Sequence, residues 1–443
     1  MKEKTFYLES LGCAKNTVDS ESMAALIQNA GYRLVRKPSQ ARVLIVNTCG
    51  FIAAARDESY EVLKELSNGK VPGQFLIAAG CLTERYRQEV VERVPGIDGI
   101  LGTRRWMDIL EVVDHLQSDR THAVYHLPQA RALNRDERGV MRSAVQGGSA
   151  YLKIADGCRR GCAFCAIPLI KGPAVSRAPE AILEEARILA DHGVRELILI
   201  AQDTTDYGTD LGLKDGLAQL LEKMEMAVPN LPWLRLLYTF PGFVTPRLVD
   251  VMASSNQILH YLDIPLQHAD PRILKAMKRP SDMKAVRRLI TSMRVRMPDL
   301  AIRSTFIVGY PGEGETEFQE LLDFLKEVQL DHVGAFTFSF EEGTPSQPLG
   351  DPVSTEVKQE RLERLMTLQA EISLAKNQSF VGKTLDVLVE GVDESQAIAI
   401  GRSYRDAPEI DGLVIVEGSP LVGELIKVRI NGALTHDLTG AMN

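Results

Sequence analysis

The sequence predicts an α/β chain in three parts: an N-terminal doubly wound parallel sheet, a central open barrel of six β/α units, and a C-terminal small antiparallel β-barrel. Three observations carry this. Short apolar runs alternate with helical patterns over residues 1–120. The same rhythm resumes at Tyr151 and runs to Phe338. After the helical stretch Glu356–Lys376 only short strands with polar turns follow. With 443 residues the chain exceeds one ordinary core, so it divides into residues 1–120, a linker at 121–143, a barrel at 144–373 and a tail at 374–443.

In the first part, Phe6–Ser10, Val43–Asn47 and Phe75–Ala79 are apolar runs that each lead through a turn into a helical pattern. Such β-then-α repetition gives a parallel sheet covered by helices. From Ser118 to Ala150 periodicity is lost, and Arg131, Arg135, Arg138 and Arg142 precede Gly147-Gly148-Ser149. That composition reads as a solvated connection. The barrel strands are Tyr151–Ala155, Glu196–Ala201, Leu234–Tyr238, Tyr261–Ile264, Ile302–Val308 and Val333–Phe338. Six units leave a barrel open at the side, with its chemistry expected at the carboxyl ends of the strands. In the tail, Leu385–Val389, Ala397–Gly401, Leu413–Val416 and Glu424–Ile430 are strands without an intervening helix, the pattern of a small barrel.

Composition narrows the setting. Hydrophobic content of 45% and charged content of 25% are those of a globular protein. No apolar run is long enough to span a membrane, and the N-terminus enters a strand without a signal-peptide pattern. These features predict a cytoplasmic protein with no membrane partner. The net charge of −8 argues against binding dominated by phosphates. Six cysteines, far apart outside one triplet, do not form a secreted disulfide framework, and they suit thiolates kept reduced as metal ligands.

The cysteines fall into two sets of three. Cys158, Cys162 and Cys165 form a C-x3-C-x2-C loop after the first barrel strand. Three thiolates hold three corners of a cubic iron–sulfur cluster and leave the fourth iron open to a small molecule. Zinc would call for paired C-x2-C motifs or histidines, and no His lies in this loop. Cys13, Cys49 and Cys81 each lie just past the carboxyl end of a strand. In an open parallel sheet that edge is where ligands bind. Any one of them reads better as a buried small hydrophobe, but three at one topological position point to a second cluster. Gln202, Gln267 and Arg303 on or after barrel strands, and Gly309 in the loop Val308-Gly309-Tyr310-Pro311-Gly312-Glu313, are candidate cofactor contacts. They also stand to satisfy one another.

The C-x3-C-x-aromatic-C motif, with Phe164 as its aromatic residue, resembles that of the radical S-adenosylmethionine (SAM) enzymes. The whole chain resembles the methylthiotransferases among them. The matching residues are Gly12-Cys13 with Asn16, Val18-Asp19-Ser20-Glu21, Asn47-Thr48-Cys49, Gly80-Cys81, the Cys158 triplet and Ile307–Glu313. Ser10–Asn16, Val46–Ile52, Leu262–His268, Gly401-Arg402-Ser403 and Asp406–Gly412 are similar to the RimO branch. The resemblance implies two [4Fe-4S] clusters, on Cys13, Cys49 and Cys81 and on Cys158, Cys162 and Cys165. It also implies two uses of SAM, cofactor contacts from Phe164, Gln202, Gln267, Arg303 and Gly309, and a tail of the TRAM type. No catalytic residue beyond the cysteines is identified. The implied reaction inserts a methylthio group at the β-carbon of an aspartate in a small-subunit ribosomal protein, with an external electron donor such as flavodoxin or ferredoxin.

Two other readings stay open at this level: methylthiolation of a tRNA adenosine, and a non-catalytic protein that binds iron–sulfur clusters or zinc. The tail bears on the first. It holds six basic and ten acidic side chains, a net charge of −4. Such a surface suits a basic ribosomal protein better than a phosphate backbone. Asp406, Glu409 and Asp411 lie together in a turn-rich segment and are expected to be displayed for that partner.

Overall fold

The computed structural model of the protein describes residues 4–118, 124–128 and 148–442. The chain forms two compact bodies. The first comprises the described parts of Met1–Ala144 together with Lys153–Arg177 and Ser339–Gln347. The second comprises the described parts of Val145–Leu152, with Ala178–Phe338 and Pro348–Asn443. No helix among the described residues is long and apolar enough to cross a membrane.

The first body is built on a six-stranded sheet in the order β2-β1-β3-β4-β5-β6: β1 (Thr5–Ser10), β2 (Arg33–Leu34), β3 (Val43–Thr48), β4 (Phe75–Gly80), β5 (Gly99–Gly102) and β6 (Val124–His126). Every neighbouring pair is parallel. Strand side chains alternate between faces. Val43 and Ile45 pack with Met23, Leu26 and Val112, while Leu44 and Val46 pack with Tyr60, Leu63 and Val90. Both faces are therefore buried under helices, which is why these strands read as continuous apolar runs. The helices that matter below are α1 (Ala14–Asn29), α2 (Ala53–Asn68) and α3 (Cys81–Tyr86), each entered from a strand end through a cysteine loop.

Two expectations are corrected here. The periodicity lost after Ser118 hid an edge strand: β6 pairs in parallel with β5 at Val124–His126, within the expected linker. A three-residue edge strand is too short to show a period. The remaining linker residues, including Arg131, Arg135, Arg138 and Arg142, lie outside the described residues. The second correction concerns packing. The segment Lys153–Arg177, which carries the Cys158 loop, belongs to the first body although it follows the first barrel strand in sequence.

In the second body the six expected barrel strands are present, grouped as two three-stranded sheets. One has the order β11-β10-β7 and the other β12-β13-β14. These strands are β7 (Ser149–Lys153), β10 (Glu196–Ile200), β11 (Trp233–Leu236), β12 (Tyr261–Asp263), β13 (Ala301–Val308) and β14 (His332–Thr337). The labels β8 (Ala155–Asp156) and β9 (Val175–Ser176) denote a two-stranded ribbon in the first body. The tail closes into a five-stranded barrel of β15 (Thr384–Asp393), β16 (Ile398–Ser403), β17 (Val414–Glu417), β18 (Leu425–Ala433) and β19 (Leu438–Met442). Its core is Val387, Val389, Ala399, Val414, Val416, Val428, Ile430 and Leu438. One pair, β17 with β19, is parallel and the others are antiparallel.

Charged residues fasten the tail to the barrel strands. Arg402, fully buried, places Nη2 2.6 Å from Glu196 Oε2 and 2.9 Å from Ser149 Oγ. Glu196 also accepts from Arg235 Nε at 2.6 Å, and Arg235 lies over the Tyr261 ring at 4.6 Å. Tyr261 donates its hydroxyl to Asp411 at 2.6 Å. The second Asp411 oxygen is 3.2 Å from Arg303 Nε. Asp406 is 4% exposed and accepts from Ser403 Oγ at 2.7 Å. Asp406 and Asp411 are thus buried attachment points rather than displayed charges, and of the three acids only Glu409 is exposed. Turn-rich composition correctly indicated a loop, but its two aspartates are covered: a guanidinium and a phenol meet Asp411, and the Ser403 hydroxyl meets Asp406.

Burial alone pushes the Glu196 carboxyl up, but Arg235 and Arg402 outweigh it and bring the pKa from 4.5 to about 2. Its stabilising contribution is therefore complete above pH 4.5 and lost as pH falls toward 2. The Glu196→Gln variant should lose roughly 3–5 kcal/mol, because the buried guanidinium of Arg235 loses its anion and that of Arg402 keeps only Glu390. Denaturant unfolding followed by a probe in this body reads the loss. The acid step over that pH window should be diminished in the variant; an equal acid step in both proteins would refute the assignment.

Candidate functional site

Three strand-end loops of the first body meet at the carboxyl edge of the sheet, and each carries one cysteine. Cys13 follows β1 and is the N-cap residue of α1. Cys49 follows β3 and Cys81 opens α3 directly after β4. The missing side chains show how close the loops are. A Cβ on Gly12 would lie 2.8 Å from Cys49 Cβ and 3.1 Å from its Sγ. A Cβ on Gly50 would lie 2.7 Å from Leu82 Cα. Gly80, at φ +102°, turns from strand to helix where a Cβ would strike Asn47 Oδ1 at 2.4 Å. Glycine is required at each point for the loops to approach.

Asn16 ties the three loops together. Its Nδ2 donates to Leu11 O at 2.8 Å and to Thr48 O at 3.1 Å, and its Oδ1 accepts from Cys81 Sγ at 3.7 Å. Asn47 Nδ2 donates in turn to Asn16 O and to Ser20 Oγ, both at 2.9 Å. The loop after β3 has two further supports. Ser59 on α2 accepts from Cys49 N at 3.0 Å. Arg85 donates to Gly50 O at 2.9 Å and pairs with Glu341 at 2.8 Å. Glu341 also accepts from Ala53 N at 2.9 Å, at the start of α2. Ser59, Arg85 and Glu341 escaped the sequence reading. Glu341 lies 256 residues from Arg85, and no local pattern spans that distance.

The second set lies in the same body. The ribbon of β8 and β9 closes the ends of the Cys158 loop, and Cys158 N donates to Gly172 O at 3.0 Å. Gly157, at φ +78°, has no room for a Cβ, which would meet Pro173 O at 2.3 Å. Within the loop Arg160 N donates to Cys158 Sγ at 3.4 Å, and Cys165 N to Cys162 O at 3.1 Å. Arg104 holds the following turn from the sheet side, donating to Ile170 O at 2.7 Å and to Leu169 O at 2.9 Å. Cys81 packs against Ala166 and Ile170. Ala166 directly follows Cys165, so the two cysteine sets are neighbours.

None of the six cysteines is in a disulfide. Burial pushes the thiols of Cys49 and Cys81 up, and for Cys81 the charge of Lys171 works against that rise. Thiols of this kind would serve as ligands only once a cation displaced their protons. Three soft sulfur donors per set, glycines that make room beside them and loops held by hydrogen bonds fit iron–sulfur clusters.

The candidate SAM contacts divide between the bodies. Phe164 is half-buried in the Cys158 loop of the first. Gln202 and Gln267 are half-buried beyond β10 and β12 in the second. Gln267 adopts φ +75° and links its backbone to β13 through Thr305 O and Ile307 N. Gly309 has φ +73°, and a Cβ there would meet Lys358 Cγ at 2.3 Å. Its N–H donates to Glu313 at 2.9 Å. Packing by itself therefore accounts for glycine at this position. Arg303 departs from expectation: its guanidinium pairs with Asp263 at 3.2 Å and Asp411 at 3.2 Å, near the amino end of β13. Asp263 accepts a hydrogen bond from Nη1, so protein carboxylates meet this guanidinium in part.

Three regions match known families: residues 5–102 the uncharacterized protein family UPF0004, 152–325 the radical SAM superfamily and 381–442 the TRAM domain. Near full-length relatives include the ribosomal protein uS12 methylthiotransferase RimO of Roseiflexus sp. (strain RS-1), 46% identical over 99% of this chain and 97% of that one. The same enzyme of Chloroflexus aurantiacus is 47% identical over 98% and 99%, and that of Aquifex aeolicus 42% over 97% and 95%. Among solved structures, the radical SAM methyltransferase TsrM of Kitasatospora setae, with cobalamin and a [4Fe-4S] cluster bound, aligns with a TM-score of 0.58. It covers 78% of this chain and 74% of that one at 14% identity, a likeness of fold.

The role given to Asn16 has a direct consequence. In protein whose Cys158, Cys162 and Cys165 are replaced by Ala, adding Asn16→Leu should cut the iron retained after anaerobic reconstitution by at least about half. Ligand-orienting partners are commonly worth tenfold or more in metal affinity. Iron uptake equal to that of the parent would show that the amide is dispensable.

Proposed function

The chain belongs to the RimO family of radical SAM methylthiotransferases, and we propose that it inserts a methylthio group at the β-carbon of an aspartate in ribosomal protein uS12. SAM and [4Fe-4S] clusters are the cofactors of this class. When bound, they supply one-electron chemistry at an unactivated carbon and a methylated sulfur, neither of which side-chain acid–base chemistry provides. Cys158, Cys162 and Cys165 would hold the cluster that works with SAM, and Cys13, Cys49 and Cys81 would hold a second cluster that serves the transfer of sulfur.

The observation that carries this reading is the contact of Cys81 with Ala166, the residue after Cys165. A sulfur-transfer reaction needs its two centres close together, and this contact brings the two loops side by side. The chain's own residues then have defined tasks. Asn16 and Ser59 set the direction of the first loops. The Arg85–Glu341 pair, both side chains buried, holds the Cys49 loop in place. Cys49, Cys81 and Cys162 are themselves buried, which keeps water from the sulfur. Phe164, Gln202, Gln267 and Gly309 remain the proposed cofactor contacts, while Arg303 is engaged by carboxylates. The substrate is a basic protein. Exposed acids of the tail, among them Asp393, Glu394, Glu409 and Glu417, complement it. The reductant is an external one-electron protein such as flavodoxin or ferredoxin, and the reaction takes place in the cytoplasm.

The test is an anaerobic reaction with SAM and reductant, offering purified uS12 and tRNA side by side, read by mass spectrometry. We expect a methylthio group on uS12 and none on tRNA. Replacing Cys158, Cys162 and Cys165 by Ala should abolish 5′-deoxyadenosine release. Replacing Cys13, Cys49 and Cys81 should leave that release and stop sulfur transfer. Modified tRNA would move the assignment to the nucleic-acid branch, and protein that holds no iron or sulfide would end the enzyme reading.

A further inference from the structure

The proposed reaction draws its electrons from a separate protein, which has to come close to the cysteine sets without blocking the substrate. Cys13 is exposed and Cys158 and Cys165 are half-buried, and that accessible sulfur is what SAM and substrate must reach. A protein reductant therefore needs another way in. The covering is thin at the single helical turn Ile167–Ile170, which begins two residues after Cys165. Ile170, and Ala166 just before the turn, are fully buried and pack on Cys81. Leu169 in the same turn is 47% exposed. The cover is one helix thick, so water lies about 10 Å from Cys81 on this side.

The surface around Leu169 is positive. Arg104 donates to Leu169 O at 2.9 Å and to Ile170 O at 2.7 Å. Its Nε lies 3.5 Å from Glu84 Oε1, and Arg87 Nη2 lies 4.0 Å from the same oxygen. Glu84 is 3% exposed and Arg87 51%, so the carboxylate is hidden while the guanidinium faces water. Gly172 links this place to the Cys158 loop: its O accepts from Cys158 N, and a Cβ on it would lie 3.9 Å from Arg104 Cζ. Arg159 and Arg160, directly after Cys158, add two more cations. On the other flank a Cβ on Gly343 would meet Leu169 Cδ1 at 3.0 Å, and Glu342 beside it is exposed. Arg85 Nη2 donates to Glu342 O at 3.0 Å, and Arg85 pairs with buried Glu341. Five guanidinium groups thus stand against three carboxylates, of which only Glu342 is exposed. Over its described residues the first body holds 19 basic and 17 acidic side chains, in a chain of net charge −8, so an acidic protein is repelled less here than elsewhere. One exposed leucine is ordinary on any surface. This one is set apart by its place on the turn that covers Cys81 and by the cations around it.

Resting on the proposed function, we infer that the surface at Leu169, rimmed by Arg87, Arg104 and Arg159, is the docking site of an acidic one-electron donor of the flavodoxin kind. Electron-transfer partners meet over small interfaces, below about 1,200 Å², and an apolar centre with a charged rim suits such a brief encounter. Opposite charge speeds the approach and is screened by salt. At each encounter the donor gives up one electron and leaves oxidised, and no bond to the protein forms or breaks. The basic substrate and the acidic reductant are then drawn to different parts of the chain, the one to the acids of the tail and the other to the first body.

The experiment uses the full chain, reconstituted anaerobically with iron and sulfide, and a purified acidic flavodoxin as the probe. Binding is read by isothermal titration calorimetry, and SAM cleavage as 5′-deoxyadenosine release with either flavodoxin or dithionite as reductant. Arg87→Glu combined with Leu169→Glu should raise the flavodoxin Kd at least about tenfold. Release driven by sub-saturating flavodoxin should fall with it, while release driven by dithionite stays that of the parent. Glu342→Lys should tighten flavodoxin binding about threefold, and added salt should weaken binding to the parent. Arg36→Glu, at an exposed charge beyond β2, should leave the Kd in place. A double variant that binds flavodoxin like the parent, or an Arg36→Glu variant that loses as much as the double variant, overturns the inference. If the double variant does not fold, Glu342→Lys decides, and binding no tighter than the parent's overturns it. A parent that releases no 5′-deoxyadenosine with dithionite overturns the proposed function instead.

Discussion

The first body depends on the amide of Asn16. A parallel sheet delivers the carboxyl ends of β1, β3 and β4 to one edge, but it does not fix how the loops beyond them run. The Asn16 side chain donates into the loops after β1 and β3 and accepts from the thiol that follows β4. Only a short side chain with a donor and an acceptor on one carbon can do this. Gly12, Gly50 and Gly80 make the approach possible, since a Cβ at any of them would lie within 2.8 Å of a neighbouring loop. The sheet supplies direction, the glycines supply space, and the amide supplies register.

The structure uses buried ion pairs at two kinds of place. In the second body Glu196 stands between Arg235 and Arg402, and Asp411 between Arg303 and Tyr261, so the tail is joined to the strands through directional contacts. In the first body Arg85 pairs with Glu341, and Lys153 and Lys171 pair with Asp19 and Asp156. An apolar contact tolerates sliding, while a buried guanidinium–carboxylate pair accepts few geometries.

Several sequence expectations met the structure unevenly, and the differences share a cause. The six barrel strands and the helix-free tail were legible because periodicity is a local signal. The convergence of Cys13, Cys49 and Cys81 was legible because parallel topology assigns them one edge. Strand β6 was missed because three residues carry no period, and Asp411 was misplaced because its partners Arg303 and Tyr261 lie more than a hundred residues away; Asp406 was misplaced although Ser403, which donates to it, is three residues away. Arg303 was placed on a strand correctly, but its partner on the tail could not be read from the strand.

The sequence by itself determined the architecture, the two cysteine sets and the family to which the chain belongs, because backbone periodicity and ligand spacing are written in consecutive residues. It also placed glycines where loops must approach. Only the tertiary structure decided which polar groups satisfy one another: Asn16 with three loops, Glu341 with Arg85, Lys171 with Asp19 and Asp156, and Asp411 with Arg303. A buried polar group must find a partner wherever the fold brings one. That choice depends on distance in space, which separation along the chain does not encode.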